Sequence, residues 1–160
     1  MKIIEYEEKY LDDIRDLLVE LEEYLASIDK DNLDQVHPEY REKMALLDLE
    51  EVEKYNGKCF LALDNDRVIG LIMGIIPEYD EYDYLDYKCP KKGKVTELIV
   101  TKNTRSKGVG KALLEKMENY FKEMSCEYVT IDVFAYNELG KSFYEKKGYH
   151  PRMYIDIKKL

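Results

Sequence analysis

The chain is poor in the residues that bind metals and form disulfides. Of its 160 residues, two are histidine and three are cysteine: Cys59, Cys89 and Cys126. An odd cysteine count without metal-ligand spacing excludes a disulfide framework, and two histidines leave too few ligands for a zinc site. Free thiols fit a reduced, cytoplasmic setting. Long apolar runs are missing too. None reaches the roughly 18 residues of a membrane span, and the N-terminus lacks the charged-then-apolar pattern of a signal peptide, so no membrane partner is expected. Basic charge is in short supply: 25 Lys and Arg stand against 34 Asp and Glu, a formal charge of −9. That balance argues against nucleic acid as a partner. No linker, repeat or low-complexity stretch divides the chain, and residues 1–160 suit a single domain with a sizeable core.

Acid itself is missing from one place. Between Glu97 and Glu115 there is none, while Lys102, Arg105, Lys107 and Lys111 all fall there. In a chain this acidic, such an island suggests an anionic ligand. Its centre reads Arg105-Ser-Lys-Gly-Val-Gly110, between a strand-like run, Glu97–Thr101, and a helical run from Lys111. Two glycines let the backbone curl at a helix N-terminus, where unpaired N–H groups and the positive end of the helix dipole attract phosphate. A dinucleotide-binding turn wants a third glycine where Leu113 stands. A P-loop wants glycine at Arg105 and Ser or Thr at Ala112. Neither fits; Arg-x-x-Gly-x-Gly does.

Some thirty residues on, a second pattern follows a strand-like run. It comprises Asn137, the small residue Gly140, then Tyr144-Glu-Lys-Lys-Gly148-Tyr149. In this order and separation the two patterns resemble the signatures of the GNAT N-acetyltransferase superfamily. The resemblance is strong over residues 94–157. Residues 1–77 match only in element order, and 78–93 match nothing. It implies an α/β fold: a GNAT-like mixed, centrally splayed β-sheet flanked by about four helices. It further implies acetyl-CoA as cosubstrate, with its pyrophosphate on Arg105, Ser106, Lys107, Gly108, Val109, Gly110 and Lys111. The pantetheine would pair with the main chain of Leu98, Ile99 and Val100 and pass Asn137, Gly140 and Tyr144. Gly140 costs about 1 kcal/mol in a helix interior relative to alanine, which makes sense if a ligand passes close to the backbone.

Periodicity places the elements. Lys2–Tyr6 reads as a short strand. Leu11, Ile14, Leu17, Leu18, Leu21, Leu25 and Ile28 repeat at helical spacing from about Glu8 to Ile28. Pro38 opens a weaker helix that ends at Asn56-Gly57. Cys59–Leu63 and Val68–Ile76 form a hairpin through Asp64-Asn-Asp-Arg67, the second apolar on both faces and so central. A strand at Val95–Thr101 enters the glycine turn. A helix to about Met124, a strand at Tyr128–Phe134, a helix at Glu138–Lys147 and a last strand at Tyr149–Ile157 complete the order. The splay implied by the resemblance lies between Val95–Thr101 and Tyr128–Phe134.

The reaction that the resemblance implies sets its own demands. An alkyl ammonium has a pKa near 10.4, so at pH 7 roughly one molecule in a thousand is a free nucleophile. The site must accept that proton, stabilise the carbonyl oxygen as it becomes negative, and protonate the leaving thiolate. Tyr144 is the candidate acid, and its neighbour Phe143 the better core candidate. Glu97, an acid in an apolar strand where a lone charge is costly, is the candidate base or water-holder; an exposed-face glutamate pairing with Lys94 or a tyrosine is its plainer reading, and Asp132 is the alternative base. By resemblance, the N–H of Val100 or its neighbour would bond the thioester oxygen. No Cys-His or Ser-His-Asp spacing is visible, which favours direct transfer over a covalent acetyl-enzyme.

Glu78–Tyr87 carries five acids, four tyrosines and no base. Acids among aromatic rings suit a cationic acceptor, with Asp80, Glu81 and Asp83 as candidate contacts. A solvated acidic loop facing Lys88, Lys91, Lys92 and Lys94 is the plainer reading. The expected activity is acetyl transfer to a primary amine on a cationic small molecule, polyamine- or aminoglycoside-like. A protein lysine or N-terminal acetyltransferase is the second reading, and a non-catalytic acyl-CoA sensor the third. The expected assembly is a monomer or homodimer.

Overall fold

A computed structural model describes residues Met1–Leu160. Five strands form one sheet in sequence order: β1 (Lys2–Glu5), β2 (Lys58–Asp64), β3 (Arg67–Ile75), β4 (Lys92–Val100) and β5 (Tyr128–Ile131). The first four pair antiparallel and β5 joins β4 in parallel, so the sheet is mixed. The β2–β3 hairpin turns on Asn65 and Asp66, both at positive φ, the geometry that matches the twist of its strands. From Val68 onward every residue of β3 is buried, as expected of a central strand.

Helices cover both faces. α1 (Leu11–Ile28) and α2 (Tyr40–Lys54) lie on one side, where Ile14, Leu17, Leu18, Ala45 and Val52 pack against Leu61, Leu71, Met73 and Ile99. α4 (Val109–Glu123) and α5 (Glu138–Glu145) lie on the other, where Val109, Leu113, Leu114, Met117, Phe121 and Tyr144 pack against Phe60, Ile72 and Val95. α3 (Asp83–Asp86) is a single turn in the β3–β4 connection. α2 stops where Asn56 takes a positive φ and the Gly57 N–H donates to the Val52 carbonyl at 2.7 Å, closing the last turn.

The sheet splays between β4 and β5. Only Lys92–Val95 pair with Tyr128–Ile131, which leaves the β5-facing edge of β4 unpaired by strand from Thr96 to Val100. β5 ends at Ile131 rather than running to Phe134, so the gap begins earlier than the sequence predicts. The expected last strand at Tyr149–Ile157 is absent. Residues 150–160 pair with no strand, Pro151 can donate no ladder bond, and the Arg152 guanidinium lies 5.9 Å over the Tyr87 ring of the acidic loop. Met153, Tyr154 and Ile155 remain exposed.

α4 approaches the sheet closely because glycine lines its path. A Cβ on Gly93 would sit 2.4–2.6 Å from Phe121 ring atoms. Gly93→Ala must displace that fully buried ring and should destabilise the protein by about 1–3 kcal/mol, read as a lower urea midpoint at unchanged slope.

Candidate active site

The Arg105–Gly110 turn is built to leave donors free. A short 3₁₀ turn, Lys102–Thr104, ends β4; Ser106 and then Gly108 take φ values of 64° and 81°, and α4 begins at Val109. The first backbone N–H of the helix region that is bonded belongs to Ala112, which donates to the Gly108 carbonyl at 3.0 Å. None from Arg105 to Lys111 donates to a protein acceptor. The Arg105 Nε donates to the Val100 carbonyl at 3.0 Å, and its guanidinium lies 5.6 Å from the Tyr24 ring centre on α1. The Lys102 N–H donates to Glu20 of the same helix at 3.1 Å. α1 thus braces the turn from behind.

Gly108 needs glycine for its backbone angle. Gly110 does not: its φ is ordinary, and a Cβ there would meet Val100 and Phe143 at 3.5–3.6 Å, normal contact. The fold tolerates a side chain at Gly110, so the open space beside it fits a ligand that approaches the main chain. The unbonded N–H groups and the free edge of β4 over Leu98, Ile99 and Val100 fit a phosphate and an extended amide-bearing arm, respectively.

Asn137 caps α5. Its Oδ1 accepts from the Gly140 N–H at 2.9 Å and from the Tyr24 hydroxyl at 3.3 Å. A Cβ on Gly140 would strike that side chain at 2.7 Å from Nδ2. The cap itself therefore accounts for this glycine, without a passing ligand. At the other end of α5, Gly148 has a φ of 88° and the Tyr149 N–H donates to the Tyr144 carbonyl at 3.1 Å. This is a glycine-terminated helix end in which the first residue past the glycine packs back on the last turn. The Tyr144 and Tyr149 rings meet edge to face at 5.7 Å, and the Tyr149 hydroxyl donates to Glu118 on α4 at 2.9 Å. The Tyr-x-x-x-Gly-Tyr pattern thereby sets the position of Tyr144. Tyr144 is buried and Phe143 only partly so, the reverse of the expected ranking. The Tyr144 hydroxyl bonds to no protein atom, and burial, with the Glu97 charge second, raises its pKa, so it holds its proton.

Glu97 lies on β4 opposite Met73. Lys94 pairs with the exposed Asp132 at 2.7 Å rather than with Glu97. Burial first, then Asp48 and Glu22, push the Glu97 carboxyl up to about 8. Asp48 is raised to about 6 by burial and by Glu51, and Glu22 is raised by burial and by Asp34. Tyr40 is raised by burial and by the charges of Glu22, Glu97 and Asp48. The charges of Asp48 on α2 and Glu22 on α1 thus both act on Glu97 of β4. Asp48 and Glu22 were not singled out from the sequence, although a signal was present. Asp48 breaks the apolar stripe Met44, Ala45, Val52 at helical spacing, and Glu22 follows Leu18 by one turn.

The acidic loop is different. The Asp80 carboxylate accepts from the N–H groups of Tyr82 and Asp83, and Asp83 accepts from the Asp80 N–H, at 2.8–2.9 Å. Glu81 is exposed. The loop enters β4 at Lys92, five residues or roughly 16 Å of strand from Glu97. Leu98–Val100 and Glu97 lie on the part of β4 beyond the end of its pairing with β5, Arg105–Lys111 follow it in the turn, and Asn137 and Tyr144 lie at the start of α5 and on it, whereas Asp80, Glu81 and Asp83 belong to the connection before β4.

Comparison with known proteins agrees with this geometry. The model of the acetyltransferase (GNAT) family matches residues 13–149. The chain belongs to the GNAT family. A relative in Methanocaldococcus jannaschii, named as an uncharacterized N-acetyltransferase, is 34% identical over 96 residues, 59% of this chain and 54% of its own. The chain thus spans about half the length of that curated relative. A Pyrococcus furiosus structure described as an acetyl transferase is 27% identical, with 99% of each chain covered and a TM-score of 0.74. An aminoglycoside N-acetyltransferase solved with CoA has the same fold at 15% identity, covering 99% of this chain and 100% of that one at a TM-score of 0.68. Acetyl-CoA is the cosubstrate of the GNAT family, and the turn, strand edge and helix cap fit it. No helix is long and apolar enough to cross a membrane.

Two outcomes follow from this site. Gly110→Val should leave the urea midpoint within about 1 kcal/mol of the parent while abolishing CoA binding in calorimetry. Because Glu97 holds its proton more tightly folded than unfolded, it favours folding at low pH, and that contribution fades as pH rises from about 4.5 through about 8. Denaturation at a series of pH values should show the parent losing up to a few kcal/mol over that window, at no more than about 1.4 kcal/mol per pH unit, and Glu97→Gln losing much less.

Proposed function

We propose that this protein transfers the acetyl group of acetyl-CoA directly to a primary amine, and that the amine belongs to a cationic small molecule. The observation that supports the reading is the turn of unbonded backbone donors from Arg105 to Lys111, set beside an unpaired stretch of β4. With it go a protonated Tyr144 hydroxyl that no protein group bonds and a carboxyl of raised proton affinity, Glu97, whose charge acts on that hydroxyl. Glu97, as carboxylate, takes a proton from the ammonium. The freed nitrogen attacks the thioester carbon, whose oxygen is stabilised by a β4 main-chain N–H. As the C–N bond forms and the C–S bond breaks, Tyr144 supplies the proton to sulfur, the second proton of the attacking nitrogen passes through water to restore Tyr144, and Glu97 returns its proton to solvent. The net change consumes one ammonium and one thioester and yields an amide, a thiol and one proton.

The acids of the site support a cationic acceptor. Asp80, Glu81 and Asp83 would act from a distance, attracting a cation through a field that fades as salt rises. A lysine or N-terminal amine of a protein is the second reading, favoured by the same acids; a sensor without catalysis would not need Tyr144 and Glu97 together. A reduced cytoplasmic environment suits the three free cysteines.

A thiol-release screen with acetyl-CoA over monoamines, polyamines, aminoglycosides and basic peptides tests the activity directly. Release with small cationic amines is expected; release only with peptides selects the second reading, and none with any acceptor rejects an enzyme. Tyr144→Phe should lower kcat by roughly 10²–10⁴-fold with CoA affinity nearly kept. A loss confined to stability would assign Tyr144 to packing alone.

A further inference from the structure

Residues 150–160 have the side-chain pattern of a strand and no sheet to join. Met153, Ile155 and Ile157 stand two apart, and Arg152, Tyr154, Asp156 and Lys158 alternate with them. In extended backbone this gives one apolar face and one charged face. The apolar face is bare: Ile155 is 95% exposed, with Met153 and Ile157 exposed beside it. The main chain is equally free, since no residue from His150 to Leu160 takes part in a backbone hydrogen bond. Only the start of the segment is held. The Tyr149 hydroxyl bonds to Glu118 of α4, and the Arg152 guanidinium lies over the Tyr87 ring. Tyr87 is exposed too, as are Tyr84 and Leu85 of its loop, so bare apolar side chains from two parts of the chain adjoin here. Exposed apolar surface of this extent marks a protein contact.

We infer that this segment pairs antiparallel with the same segment of a second copy, about a two-fold axis at Tyr154, and so forms a homodimer. The sequence is self-complementary in that register. Arg152 falls opposite Asp156 of the other copy, twice by symmetry, and Met153 falls opposite Ile155. Tyr154 meets itself, Pro151 meets Ile157, and His150 meets Lys158. No two acids, and no two of lysine and arginine, are opposed. Sliding the pairing one step one way sets Arg152 against Lys158; sliding it the other way sets Arg152 against Tyr154 and parts it from Asp156. Proline adds a separate constraint. When Tyr154 and its copy exchange both N–H···O bonds, Arg152 and Asp156 do the same, and Pro151 falls where no donor is needed. The Arg152 guanidinium can meet the carboxylate with its edge while its face stays on Tyr87. The second copy supplies the edge that the four-residue β5 does not. A two-stranded ribbon is only marginally stable in water, so the dimer depends on the added apolar contact and should dissociate on dilution.

The test is sedimentation equilibrium of the full chain from low to high micromolar concentration. The parent should approach twice the 19.0 kDa of one chain as concentration rises. Ile155→Asp charges the apolar face and should raise the dimer dissociation constant by about 10-fold or more. Asp156→Lys sets two cations opposite each other and Arg152→Glu two acids; each should raise the constant by about 10-fold. Both positions are exposed, so these variants keep the fold, which thermal unfolding checks. The decisive arm mixes the two charge variants in equal amounts. Each introduced charge then faces its opposite, and a mixed dimer about as tight as the parent should form. A parent that stays monomeric at every concentration overturns the inference, and so does a dimer that none of the single variants weakens. Charge variants that weaken the dimer alone and do not recover together overturn it as well, because recovery follows only from Arg152 facing Asp156 of the other copy. Slow amide exchange of residues 152–156 in a monomer would put the segment on its own sheet and exclude the pairing. None of these outcomes depends on acetyl transfer.

Discussion

One extra residue in β4 governs the site. Gly74 of β3 stands opposite Val95 and Met73 opposite Glu97, so Thr96 has no partner and the strand bulges there. In a regular strand Val95, Glu97 and Ile99 would share a face. The bulge divides them: Val95 packs beneath α4, while Ile99 and the partner of Glu97 lie in the core beneath α1 and α2. A bulge bends its strand and ends regular pairing. Here β4 loses β5 at the same point, which opens the edge that an extended ligand could pair with. The shift of Glu97 toward the helices and the opening of the splay are thus two consequences of one irregularity.

The charges divide along the same line. The far end of β4 runs into a turn with no acid and a row of free N–H groups, suited to phosphate. The face under α1 and α2 gathers Glu22, Asp48 and Glu97, suited to a cation. Opposite fields on either side of one strand would hold an anionic donor and a cationic acceptor in a single orientation, and orientation is a large part of what an acyl-transfer site must supply. The net charge of −9 hides this division, because the basic island is small and the acids elsewhere are many.

Much of this was legible in the chain. The glycine turn, the Tyr144 helix and the central β3 strand follow from short-range rules that act within a few residues: free N–H groups at a helix start, a glycine at a helix end, an apolar run bounded by turn residues. The acidic cluster was not legible as a cluster, since Glu22, Asp48 and Glu97 are far apart in sequence and meet only through helix packing. Asp48 was visible as a break in a stripe, but a polar residue in a weak helix is common on a surface. The Glu78–Tyr87 run drew attention by composition, which cannot show that Asp80 and Asp83 spend their oxygens on the loop's own N–H groups. The last strand was expected at Tyr149–Ile157, where Met153, Ile155 and Ile157 stand two apart. Alternation states which face would be buried; it does not supply an edge to pair with, and β5 is too short to offer one.

The places where local rules and structure part are instructive when taken together. A natural sequence is expected to agree with its fold at most levels and to depart from that agreement where function demands it. Gly110 is a helix residue that the backbone does not require. Asp48 is a half-buried carboxylate with one oxygen closed to solvent and unbonded. Glu97 sits where its charge is disfavoured, and the edge of β4 stops pairing in the middle of the strand. Two of these departures suit parts of one donor: phosphate at the glycine turn and amide groups along β4. Gly140 breaks the same local rule for an internal reason, the Asn137 cap, and it shows that an unusual residue alone does not mark a ligand. Gly110 stands beside Val100 at the open end of β4. Two adjoining departures are better explained by one extended, phosphate-bearing ligand than by separate defects.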